Sequence, residues 1–160
     1  MSGIRVKSQD LFRIEVNDKG EYIEFDLSDV SLNFRCYEAI DKINNIIKEA
    51  SEKEKQIFAK IVEEDIEDYD TESKREYAKL QNDTFAKMRE AMDYFLGDGA
   101  CQKIFGDYNN FDMFDLLIEE FEKPREELDG KSYFDKMQIT STNLQQRLMQ
   151  KYNKNKKAVI

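Results

Sequence analysis

A chain of 160 residues fits one domain, and folding at that length buries roughly two-thirds of its surface. Charged residues at 37%, beside one proline and six glycines, favour long helices over a sandwich or barrel, while 12% aromatic residues exclude wholesale disorder. Of the formal charge of −9, residues 1–135 carry 34 acidic and 19 basic side chains and the last 25 carry six basic and no acidic ones, which disfavours phosphate binding over most of the chain; the basic end suits an acidic surface on the chain itself, a copy of it or a partner, with phosphates as the alternative.

The first ten residues, MSGIRVKSQD, have no apolar run of the kind a secretion signal needs and read as a flexible arm. Residues 11–130 read as a single α-helical domain with an N-terminal β-hairpin, and 131–160 as a polar, basic C-terminal helix or tail. In the hairpin, Phe12, Ile14 and Val16 alternate with Arg13, Glu15 and Asn17. After a turn ending in Gly20, Ile23, Phe25 and Leu27 alternate with Glu24 and Asp26.

Ser31, or Asp29 slightly earlier, is the candidate cap of a helix running from Phe34 to about Glu64. Its expected inward stripe is Cys36, Ile40, Ile43, Ile47, Ala50, Ile57 and Ile61, at three- and four-residue steps. The acidic run EEDIEDYDTES at 63–73 reads as a solvated helix end or turn. A second helix, Glu72 to Leu96, presents Tyr77, Leu80, Phe85, Met88, Met92 and Phe95 and stops at Gly97. The two helices should form an antiparallel hairpin. Shorter helices follow at about 99–105 and 111–123, the latter ending before Pro124. The last segment, TSTNLQQRLMQKYNKNKK, has one short apolar stripe (Leu144, Leu148, Tyr152) and is polar enough to be loosely attached or unfolded when alone.

Much familiar chemistry has no residues to carry it. The chain has no histidine, hence no Ser-His or Cys-His arrangement and none of the commonest transition-metal ligand. Cys36 and Cys101, 65 positions apart, read as reduced, buried or half-buried thiols of a cytosolic protein, with a disulfide as the alternative. Neither a phosphate-cradling GxxxxGK[ST] loop nor a GxGxxG stretch occurs. The acidic knot Glu63, Glu64, Asp65, Glu67, Asp68, Asp70 and Glu72 reads as solvated surface, with a weak divalent-ion site as the alternative. Residues 107–112 match a calcium loop only weakly, since the central glycine and closing glutamate are missing. No run reaches the roughly 18 apolar residues that would span a bilayer. The chain therefore reads as a binding protein rather than an enzyme: no catalytic, cofactor-binding or metal residues are assigned.

The stretch Phe95 to Asp107 reads as helix, glycine stop, small-residue turn, short helix and second glycine stop. Phe95, Ile104 and Phe105 are either core or contact residues. Together, Phe95-x-Gly97-x-Gly99, then Ile104-Phe105-Gly106-Asp107, the amphipathic run Phe111–Phe121 and the upstream IEVNDKGEYIEFDLSDVSLNF resemble the tail assembly chaperones of phages and prophages of Gram-positive bacteria. The likeness covers roughly residues 12–123. It implies multiple copies binding and solubilising a long helical tape measure protein in the host cytoplasm, a possible contact with the tail tube protein, and absence from the mature tail. Phe95, Gly97, Gly99, Ile104, Phe105 and Gly106 are the residues that carry it. A structural virion or capsid-associated protein, and an acidic DNA mimic inhibiting a nucleic-acid enzyme, are the competing readings.

Overall fold

The computed structural model describes residues 3–4, 11–64 and 67–158, with side chains through 154. Of the expected arm only Gly3 and Ile4 are among these, and Asp65 of the acidic knot is not. The fold is mainly α. In order come strands β1 (Leu11–Glu15) and β2 (Tyr22–Asp26), then helices α1 (Val30–Glu63), α2 (Glu72–Leu96), α3 (Ala100–Phe105), α4 (Met113–Glu122) and α5 (Tyr133–Ala158), with a 3-10 turn at Glu126–Leu128. The chain divides into two compact units. One comprises residues up to Arg35 with those from Lys103 onward, and the other comprises Cys36–Gln102.

In the first unit, β1 and β2 pair antiparallel with Phe12 opposite Phe25 and Ile14 opposite Ile23. The period-2 alternation is as expected: Ile23, Phe25 and Leu27 are buried while their neighbours Tyr22 and Glu24 are exposed. Asn17 closes the turn, its side-chain oxygen accepting the Lys19 N–H at 2.9 Å. Its amide group donates to the Lys103 carbonyl at 2.9 Å, tying the hairpin to the end of α3. Phe25, Phe121 and Tyr133 form an aromatic triangle with centroids 5.3 to 5.8 Å apart, which Phe12 and Phe134 extend. The Arg125 guanidinium lies over the Tyr133 ring at 4.7 Å.

α5 starts on a reciprocal cap. The Ser132 N–H donates to Asp135 Oδ2 at 2.9 Å and the Asp135 N–H donates to Ser132 Oγ at 3.0 Å. Tyr133 and Met137 are buried, and Thr140 donates its hydroxyl to the Leu27 carbonyl at 2.7 Å. The polar segment expected to be loosely attached is therefore the outer part of one 26-residue helix whose first turns are anchored.

In the second unit, α1 and α2 pack as the expected antiparallel hairpin. Glu38 accepts from the Tyr94 hydroxyl near one end, and Glu54 accepts from Tyr77 at 2.9 Å toward the other. Phe58 and Tyr77 lie 6.5 Å apart. The start of α1 belongs to the first unit, and its cap is Asp29, not Ser31: its carboxylate accepts both the N–H, at 2.9 Å, and the hydroxyl of Ser31.

The inward stripe of α1 also differs from the expected one. Leu32, Cys36, Ala39 and Ile57 are buried and Ile43, Ile46, Ala50 and Ile61 are half-buried, while Ile40 and Ile47 are exposed. Isoleucines at 46 and 47, and an alanine beside an isoleucine at 39 and 40, give two stripes of similar spacing. The smaller Ala39 takes the inner, buried place and Ile40 the outer one.

Candidate interaction surfaces

The glycine-punctuated connection is built from the end of α2. The Gly97 N–H donates to the Asp93 carbonyl at 2.7 Å, and Gly97 turns the chain with φ 111° and ψ 154°, a region open essentially to glycine alone. The Ala100 N–H then returns to the Gly97 carbonyl at 3.1 Å. The Asp93 carboxylate accepts the Cys101 N–H at 2.8 Å, so a residue of α2 caps the start of α3. Phe95 is buried, whereas Gly97 and Gly99 are exposed. All three belong to the second unit. Ile104, Phe105 and Gly106 are half-buried in the first unit, where Phe105 meets Phe114 edge-on at 5.8 Å. The sequence motif is thus shared between two units.

Both thiols are buried. Burial pushes Cys36 up to about 11, and burial together with the adjacent Asp93 carboxylate pushes Cys101 higher still. The Cys101 thiol donates to the Arg89 carbonyl at 3.6 Å. Neither sulfur is a thiolate at neutral pH, and the two are free rather than bridged.

The acidic knot is largely turn architecture. Glu64 is held below the ordinary carboxylate range by hydroxyl donation from Ser73 and Thr71. Thr71 in turn caps α2, accepting the Lys74 N–H at 3.2 Å. Asp70 is gripped by two guanidinium nitrogens of Arg75. Among the described residues, no group of three or more Cys, Asp or Glu is placed to hold a metal. At 107–112, Asn110 accepts the Asp112 N–H at 2.7 Å, a turn that leads into α4.

Two surfaces carry exposed apolar side chains at helical spacing. On α1, Tyr37, Ile40, Ile47, Phe58 and Val62 share one flank, turned about 90° from the inward stripe at ~100° per residue. Phe58 is 55% and Val62 64% exposed. On α5, every residue from 143 to 154 is exposed. There, Leu144, Leu148 and Tyr152 continue the line that Tyr133 and Met137 bury. Arg147, Lys151 and Lys154 run along the edge of that line. The spacing of 144, 148 and 152 was visible in the sequence, while its continuity with a buried anchor was not. No helix among the described residues is long and apolar enough to cross a membrane.

No protein-family model matches the chain, and no curated protein or solved structure matches it.

Proposed function

We propose that this chain is a non-catalytic binding factor, and within that class a tail assembly chaperone of a phage or prophage, holding a tape measure protein soluble in the host cytoplasm until the tail tube assembles. The observation that carries the reading is the exposed apolar flank of α1. It comprises two apolar stretches, Tyr37–Ile47 and Phe58–Val62, separated by Ser51 and Lys55, which together span about 38 Å at 1.5 Å per residue. A long helical partner with a repeating apolar face is the natural occupant of such a stripe, which would read it through i, i+3, i+4 and i+7 anchors. The acidic body keeps the complex in solution, and several weak copies on one partner add up to firm coverage.

Co-expression with the tape measure protein tests this proposal. The partner stays soluble and co-elutes with this chain on size exclusion, and the double substitution Ile47→Glu/Phe58→Glu loses both effects while keeping its circular dichroism. A partner equally soluble without this chain would refute the reading.

A further inference from the structure

The outer half of α5 and the outer face of α4 are complementary in charge, spacing and length. On α5, Leu144, Leu148 and Tyr152 form an exposed apolar line with Arg147, Lys151 and Lys154 along one edge. At the N-cap and on the outer face of α4, Asp112, Asp115, Leu116 and Glu119 fall at i, i+3, i+4 and i+7, all exposed, with Leu116 56% open. The residues from Leu144 to Lys154 span about 16 Å and the ten-residue α4 about 15 Å at 1.5 Å per residue.

The two surfaces belong to one unit, and α5 is a single unbroken helix whose first turns are fixed by Tyr133, Met137 and the Thr140–Leu27 hydrogen bond. Its outer half cannot turn back onto its own α4 without breaking that helix. A second copy of the chain removes the conflict. We propose that the outer half of α5 is an assembly arm that seats on the α4 face of a second copy. Leu144, Leu148 and Tyr152 cover Leu116, and Arg147 and Lys151 face Asp115 and Glu119. Like charge keeps two α5 arms from pairing with each other, so the contact runs from basic arm to acidic face.

Sedimentation equilibrium on the full chain alone provides the test, independent of any tape measure protein. The wild-type chain self-associates at low salt, and its dissociation constant rises about tenfold or more when salt is raised beyond the range over which exposed charges feel one another. The arm variant Arg147→Glu/Lys151→Glu and the face variant Asp115→Lys/Glu119→Lys are each monomeric where the wild type associates, with unchanged circular dichroism. Mixing the two restores association, because each now carries what the other lacks. A wild-type chain that stays monomeric at every concentration overturns the proposal, as does a mixture that stays monomeric. Capture of a monomeric chain by anionic phosphatidylserine vesicles through the same α5 residues would assign the arm to a lipid surface and also overturn it.

Discussion

The Asp93 carboxylate accepts the Cys101 N–H at 2.8 Å while its own carbonyl accepts the Gly97 N–H, so one residue both ends α2 and begins α3. Asp93→Ala removes the cap of α3 and should cost about 1 kcal/mol, or roughly 3 °C in Tm for a chain of this size. It also withdraws a negative charge that helps hold the Cys101 thiol protonated. Alkylation of Cys101 should therefore speed up in the variant, beyond what its loss of stability explains by unfolding. An unchanged alkylation rate would place the control of that thiol in burial alone.

Gly97 sits at φ 111°, and no neighbouring atom would obstruct an added methyl group, so the whole cost of a substitution there is backbone strain. Gly97→Ala should lose about 1–3 kcal/mol in urea unfolding.

The two stripes of α1 can be told apart by truncation. Ile57→Ala, at a buried position, should cost about 2–5 kcal/mol. Ile47→Ala, at an exposed one, should stay within about 0.5 kcal/mol of wild type. Equal losses at the two sites would contradict the register described for this helix.

Thr140 ties α5 to the end of β2 through its hydroxyl. Thr140→Val keeps the shape, removes the donor and should cost about 1 kcal/mol in chemical denaturation. Because Leu27 lies at the other end of that bond, Leu27 N–H and its neighbours should show faster hydrogen exchange in the variant.

Acid should destabilise the chain by a definite route. Asp29, Asp135 and Glu64 are all held below their ordinary values, in each case chiefly by hydrogen bonds to a nearby serine: Ser31, Ser132 and Ser73 respectively. A lowered folded value means the unfolded chain binds more protons, so stability rises with pH in that interval. Their contribution is complete above the ordinary carboxylate values of about 4 and is lost as pH falls through the depressed ones. Melting temperature measured from pH 6 down to about 2 should fall most steeply in that lower range. At the alkaline end the raised Cys36 works in the opposite sense, with stability lost as pH climbs from the ordinary thiol value through about 11.

How well the sequence spoke depended on how much its residues differ from their neighbours. Gly97 fixed the end of α2 because few other residues can adopt its backbone geometry, and the hairpin alternation survived because strands invert a side chain at every step. The register of α1 was ambiguous because Ile46 and Ile47, or Ala39 and Ile40, satisfy the same spacing one residue apart. α5 was harder. Its start was written in the Ser132-x-x-Asp135 pattern and in Tyr133, Phe134 and Met137, but its polar remainder masked them. The sharing of Phe95, Gly97 and Gly99 with one unit and of Ile104, Phe105 and Gly106 with the other depends on contacts distant in sequence, which no local pattern records.

The anchoring of the first turns of α5 has a consequence for the rest of that helix. A free segment of about twelve residues is marginal as a helix in water because its first turn is costly to form. In this chain the nucleus is supplied by the packed turns from Tyr133 to Thr140, leaving residues 143–154 only the cheaper step of propagation. The outer turns should therefore melt first on warming, from the free end inward, and re-form without delay. A partner that grips them meets a helix already seeded and has little ordering entropy left to overcome.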